Sequence, residues 1–326
     1  MSRVRTTTLL AATASLFLAG FNPATVFGDG SPQTVVTDFA SDPTLPHGGD
    51  ALFFVRGEGA AAAFVHEPGS RARFSSDARG SLRVTYDSLE PTSRLYAVFP
   101  GGFTQDDDFV LGAVLTIRPD GFAPDPFGFH PIAFSLFNAS TTGDDRTGDL
   151  NDFAADTFDT VEFSYFANVS PFFGGPFLSP DVFGRQSGPD AFANFTFGTV
   201  PLELQPGVTY LVQIEHSAAA RTLTTQVWVV KPDGAALPVP GGVVTVDTSR
   251  VSGFLVDSLG ISMYHDGFNV FSSSGRSLHA VVDYDLLFSG PKIGGALPAE
   301  IAKALKQFTK RAGRLTIQTP GDPVLR

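Results

Sequence analysis

The sequence predicts an all-β chain: a sandwich of two antiparallel sheets, followed by one short amphipathic helix at the C-terminus. Three observations predict it. Short runs of alternating apolar and polar residues recur about thirteen times, with Gly, Pro, Asp and Asn between them. No segment before residue 297 carries the apolar periodicity of an amphipathic helix. Phenylalanine is used 32 times against six Tyr and one Trp, which suits the thick core between two facing sheets.

The first element stands outside the sandwich. Arg3 and Arg5 form a basic start, Leu9 to Phe21 an apolar stretch, and Val26-Phe27-Gly28 a small-residue cleavage site. Residues 1–28 therefore read as an export signal, too short for a transmembrane span. The alternative is an uncleaved N-terminal anchor. Export makes the mature chain secreted, extracellular or periplasmic. No later run approaches the ~20 apolar residues of a membrane span, so the mature chain is expected to have no transmembrane segment. Cysteine is absent, which removes disulfides, thiolate zinc sites and cysteine nucleophiles and leaves stability to burial.

Residues 29–289 are read as one β-domain. Its strands are expected at Gln33–Phe39, Ala51–Val55, Ala61–His66, Ser81–Tyr86, Ser93–Phe99, Phe109–Ile117, Pro131–Phe137, Thr157–Phe166, Thr209–Ile214, Thr222–Val230, Val243–Val246, Phe254–Met263 and Leu278–Phe288. Alternation assigns faces along the clearest of these. In Thr160–Phe166, Val161, Phe163 and Tyr165 share one face and Glu162, Ser164 and Phe166 the other. Val208, Tyr210, Val212 and Ile214 point inward, leaving Gln213 and Glu215 outside. Thr224, Gln226 and Trp228 lie opposite Leu223, Thr225, Val227 and Val229. In the last strand Ala280, Val282, Tyr284 and Leu286 are expected inside, with His279, Asp283 and Asp285 outside. Asn138–Phe153 and Pro171–Ala191 read as long loops.

Residues 290–326 form a basic tail. A helix is expected over 298–311, opened by Pro298 and stopped by Gly313. Ile301, Leu305, Phe308 and Ala312 line one side of it. Lys303, Lys306, Lys310 and Arg311 occupy the others. Two roles stay open for it: docking on the domain, or tethering the protein to an acidic partner or membrane surface.

The whole chain carries a formal charge of −11. Arg3 and Arg5 lie in the leader, and Lys292, Lys303, Lys306, Lys310, Arg311, Arg314 and Arg326 lie in the tail, so the central domain is more acidic still. Such a surface repels phosphate backbones, and no nucleic-acid partner is expected. The six histidines are scattered without zinc-ligand spacing. There is no nucleophile elbow and no phosphate loop.

Several segments carry a family likeness: Leu82-Arg-Val-Thr-Tyr86, Asp107-Asp-Phe-Val-Leu-Gly112, Val161-Glu-Phe-Ser-Tyr165 and Arg221-Thr-Leu-Thr224. With the strand plan from Thr37 to Asp285, they resemble the concanavalin A-like lectin/glucanase superfamily, in an exported bacterial branch. The resemblance implies a jelly roll of two antiparallel sheets, one concave, with ligands on the concave face. Laminarinase-type members carry Glu-x-Asp-x-x-Glu, supplying nucleophile, tuning Asp and acid/base. Here Glu162 matches the first position, Ser164 replaces the Asp, and Ala167 or Phe166 replaces the second Glu. The strand keeps one acid of three, and retaining hydrolysis needs two carboxyls roughly 5–5.5 Å apart.

The expected ligand-binding set is Glu162, Ser164, Gln213, Glu215, Gln226 and Trp228. It converges only if its strands neighbour one another in one sheet. A Trp beside amides and carboxylates is the make-up of a sugar site, so the partner expected is a neutral carbohydrate. No catalytic residue is assigned. Asp144, Asp145, Asp149 and Asp152 crowd one loop with hard oxygen ligands that suit calcium; a solvated turn-rich loop is the other reading. The functional expectation is an exported, non-catalytic glycan-binding sandwich. A structural or adhesion module and an atypical glycoside hydrolase are its alternatives.

Overall fold

A computed structural model of the chain describes residues 35–37, 52–54, 61–66, 74–76, 81–87, 93–124, 131–138, 159–167, 174–184, 194–263 and 278–315. The segment 1–28, expected to be an export signal, and Asp144, Asp145, Asp149 and Asp152, expected to suit calcium, lie outside the described residues.

The strands run, in chain order, β1 (Val35–Thr37), β2 (Leu52–Phe54), β3 (Ala61–His66), β4 (Phe74–Ser76), β5 (Leu82–Asp87), β6 (Ser93–Thr104), β7 (Phe109–Ile117), β8 (Ala123–Pro124), β9 (Ile132–Phe137) and β10 (Thr160–Phe166). They continue with β11 (Phe177–Leu178), β12 (Asp181–Phe183), β13 (Phe195–Phe197), β14 (Val200–Pro201), β15 (Thr209–Ser217), β16 (Thr222–Val230), β17 (Ala236–Asp247), β18 (Leu255–Met263) and β19 (Leu278–Pro291). One helix, α1 (Ala299–Leu315), follows.

Every recorded strand pairing is antiparallel, and the pairings make two sheets. The nine-stranded sheet has the order β17-β16-β15-β7-β19-β5-β4, with β1 and β8 also on β19. The ten-stranded sheet has the order β13-β12-β10-β9-β18-β6-β3-β2, with β11 off β10 and β14 off β11. This is the two-sheet sandwich with a short C-terminal helix that the sequence predicts.

The alternation sorts side chains as pleating requires. Tyr210, Val212 and Ile214 of β15, Leu223 and Val227 of β16, and Leu111, Ala113 and Leu115 of β7 point into one core. They meet Phe134 and Leu136 of β9, Val161, Phe163 and Tyr165 of β10, and Leu259 and Ile261 of β18 from the other sheet. Phe134 and Phe163 stack there with centroids 4.8 Å apart.

The last strand departs from its expected pattern. Ala280, Val282 and Tyr284 enter the core, but the register shifts between Tyr284 and Leu286. One extra residue reverses the sidedness of everything after it. Leu287 takes the inward place, and Leu286 turns to the outer face with Phe288.

That reversal builds a second, smaller apolar cluster. Val110, Val114, Leu286 and Phe288 form an apolar strip on the outer face of the nine-stranded sheet, and α1 lies on it through Ile301 and Phe308. Leu305 and Ala304 pack at its margin. Lys303, Lys306 and Lys310 face solvent. The helix thus docks on the sandwich through Ile301, Leu305 and Phe308 of the stripe the sequence assigns to it, but it begins at Ala299 and runs through Gly313 to Leu315 instead of spanning 298–311, and the side chain of Ala312 lies outside the described residues.

At the far edge of the same sheet, β17 is broken up. Its register against β16 shifts between Gln226 and Trp228, next to Pro238, Pro240 and Gly241, which has a φ of 74°.

Candidate functional site

The six expected ligand residues do not converge. Gln213, Glu215, Gln226 and Trp228 lie on the outer face of the nine-stranded sheet, where Gln213 faces Gln226 and Leu211 faces Trp228 across β15 and β16. Glu162 and Ser164 lie on β10, in the other sheet. The condition that these strands be neighbours fails, because β15 pairs with β7 and β16, while β10 pairs with β9, β11 and β12. One expected groove is therefore two places on opposite sides of the molecule.

The first place is the half-open polar strip beside α1. Gln213 Nε2 donates to Glu215 Oε1 at 2.5 Å, and Lys292 Nζ donates to Glu215 Oε2 at 2.5 Å. Glu215 is thereby committed to the segment that leads into the helix. Trp228 and Gln226 are half-buried, and Thr224 Oγ1 bonds Thr245 Oγ1 at 3.1 Å. The strip is a row of short polar contacts, with its apolar neighbours already covered by Ile301 and Phe308.

The second place is more unusual. Residues paired across neighbouring strands share a face, so the outer face of the ten-stranded sheet can be read from the registers. Glu162 sits opposite Asp181 on β12 and Ser135 on β9, and Ser135 in turn faces Gly260 on β18. Ser164 is flanked by Ala133 and then Ser262. The floor is thus made of small and acidic residues. At Gly260 an added Cβ would come within 2.7 Å of Leu95 O and 3.0 Å of the Phe137 ring. Only glycine lets Tyr96 and Phe137 close together there, edge to face with centroids 5.2 Å apart. On the other side, Phe166 and Phe177 stack at 4.8 Å.

Two carboxylates meet on this floor. Ser164 Oγ donates to Glu162 Oε1 at 2.9 Å and lies 3.4 Å from Asp181 Oδ2. A single hydroxyl therefore spans the two acids. Glu162 and Ser164 are each 2 % exposed and Asp181 8 %. Burying charged groups is costly unless polar partners surround them, and Ser164 is one such partner for both acids.

Asp181 is the residue that sequence reasoning misses. It lies inside Pro171–Ala191, read as a loop because of its Phe, Pro and Gly content. The structure places β11 and β12 there, two and three residues long. Strands that short show no alternation. The only signal was an Asp followed by Val and Phe in a Gly/Pro-rich stretch.

No family model matches the chain, and no curated protein does. Solved structures do. The carbohydrate recognition domain of Emp47p is similar at 13% identity and a TM-score of 0.45, covering 79% of this chain and 98% of that one. Lectin II from Ulex europaeus is similar at 16% identity and a TM-score of 0.42, covering 79% and 98%. The β-glucanase of Bacillus licheniformis is similar at 8% identity and a TM-score of 0.45, covering 80% and 99%. All three are concanavalin A-like jelly rolls. The likeness is one of fold and extends to no ligand.

Proposed function

We propose that the chain is an exported, non-catalytic carbohydrate-binding sandwich whose ligand site is the outer face of the ten-stranded sheet around Glu162, Ser164 and Asp181. The observation that carries this reading is the hydroxyl-bridged carboxylate pair on a floor of small residues, between two aromatic pairs. Carboxylates accept hydrogen bonds from vicinal sugar hydroxyls, small residues leave room for a ring, and aromatic faces stack on its apolar side. Affinity in the micromolar to millimolar range is expected, about 4–8 kcal/mol.

A glycan array on the secreted protein, followed by titration, tests this. Glu162→Gln and Asp181→Asn should weaken binding at least tenfold. Trp228→Ala, on the opposite sheet, should leave it unchanged. Binding lost in Trp228→Ala but kept in Glu162→Gln would move the site to the polar strip beside α1. No glycan hit, together with self-association, would favour a structural or adhesion module.

One observation favours hydrolysis as a second reading. The sequence offers a single acid on its strand, yet Asp181 supplies a second carboxyl within reach of the same serine as Glu162. Retaining cleavage uses two such groups roughly 5–5.5 Å apart. Release of reducing ends by the wild type, abolished in both Glu162→Gln and Asp181→Asn, would establish it in place of the binding reading.

Calcium at Asp144, Asp145, Asp149 and Asp152 is a separate proposal. Saturating calcium at ~100 times its dissociation constant should stabilise folding by about 2.7 kcal/mol. An unchanged Tm with no metal in elemental analysis would overturn it.

A further inference from the structure

One end of the sandwich is fastened by a clasp built around a histidine. The connection between β6 and β7 carries the chain from the ten-stranded sheet to the nine-stranded one. Three other segments grip it. From the β15–β16 turn, Ala218 N donates to Asp108 Oδ1 at 2.8 Å and Arg221 Nη1 to Gln105 O at 3.0 Å. From the β17–β18 connection, Gly253 N donates to Gln105 Oε1 at 2.9 Å. From the end of β19, Lys292 N donates to Asp108 O at 2.8 Å.

His216 sits under this clasp, 1 % exposed. Its Nδ1 lies 2.8 Å from Asp107 O. A carbonyl only accepts, so Nδ1 carries the proton and Nε2 is left as a bare lone pair. Nε2 is buried and has no hydrogen-bond partner among the described residues. The ring stacks on Phe109 with centroids 4.9 Å apart and meets Phe254 edge-on at 5.5 Å. The neutral ring therefore fits an apolar slot.

A second proton on Nε2 would have nowhere to go. The charged groups facing the ring are Asp107 and Asp108 from the β6–β7 connection and Arg221 from the β15–β16 turn. Asp107 Oδ2 already accepts from Thr104 N and Oγ1, and Asp108 Oδ1 from Ala218 N. Arg221 is engaged with Asp106 at 2.9 Å and adds a like charge. Burial pushes the imidazole below the ordinary histidine range, and Arg221 pushes the same way, against the two aspartates.

We propose that His216 is an acid-sensitive pin: its protonation releases the β15–β16 turn and the β17–β18 connection from the β6–β7 connection, opening this end of the sandwich while the rest stays folded. The sign follows from linkage. With the folded value depressed, the unfolded or opened form binds the proton more readily. The clasp is fully closed above the ordinary histidine value of about 6.5 and loosens as pH falls from there through the folded value.

Amide hydrogen exchange between pH 7.5 and 5, corrected for intrinsic rates, tests this on the full chain. Protection at Ala218 and Gly253 should fall at least tenfold, while Leu136 and Val161 keep theirs. His216→Asn retains a donor near Asp107 O and does not titrate, so its clasp protection should be independent of pH in this range. An equal response in wild type and His216→Asn would overturn the proposal, as would a uniform loss across both sheets. If that variant does not fold, the wild-type imidazole resonances decide. Their midpoint should lie below 6.5 and coincide with clasp opening, and titration without any change in exchange would overturn the proposal.

Discussion

Inward-pointing tyrosine hydroxyls tie this sandwich together from within. Tyr86 donates to Ala133 O at 3.1 Å, which joins the nine-stranded sheet to β9 of the other, and its oxygen accepts from Tyr284 at 2.7 Å. Tyr165 and Tyr210 accept from Leu204 N at 2.9 Å and Gln205 N at 2.8 Å, anchoring the connection that leads into β15. Removing one such hydroxyl strands a buried partner, so Tyr165→Phe should cost about 1–3 kcal/mol in chemical denaturation, an expectation that a loss near zero would refute. Burial raises the hydroxyls of Tyr86, Tyr165 and Tyr284 above the ordinary tyrosine value, most of all by excluding water. The folded state then keeps protons that the unfolded chain releases. Stability should be whole below pH about 10 and should fall as pH rises beyond it, by up to ~1.4 kcal/mol per pH unit for each tyrosine. Denaturation curves from pH 9 to 11 measure the slope, and Tyr284→Phe should flatten it.

At the scale of elements, α1 and the outer strip beneath it form one unit. Ile301 is fully buried against Val110, Val114, Leu286 and Phe288. Ile301→Ala should therefore cost about 2–5 kcal/mol, and deleting residues 297–326 should lower Tm and raise binding of a hydrophobic dye. A deletion that leaves Tm intact but frees the protein from cells would assign the helix to tethering instead. The strip depends on Gly112 too. A Cβ there would collide with the Phe288 ring and stand 2.6 Å from Val212 O, so Gly112→Ala should cost about 1–3 kcal/mol through strain, read as a lowered denaturation midpoint. The helix stripe was legible because Ile301, Leu305 and Phe308 repeat at helical spacing. The strip it covers was not legible. It exists because a bulge between Tyr284 and Leu286 moves an alternating strand onto its other side, and alternation alone carries no sign of a bulge.

At the scale of the whole molecule, legibility followed strand length. β15 and β16 are long enough for their alternation to show which apolar residues face the core, and β19 follows its assigned pattern as far as Tyr284, where the bulge reverses it. Which sheet each strand joins was invisible, since sheet membership depends on pairings between residues far apart in the chain. Glu162 and Gln213 therefore looked like neighbours, although they lie on outer faces of different sheets. Asp181, the acid that completes the Glu162 cluster, sits in a three-residue strand too short to announce itself.

The broken edge strand β17 has a consequence for how this protein behaves when crowded. An uninterrupted edge of twelve residues would offer a ready template to which a stray chain could add, rung by rung. Pro238 and Pro240 have no N–H to give, and the register break beside them divides the remaining rungs into two short flights. A chain adding to this edge would meet two short flights instead of one long one, so growth from it should stall after a few bonds, held off by Pro238, Pro240 and Gly241.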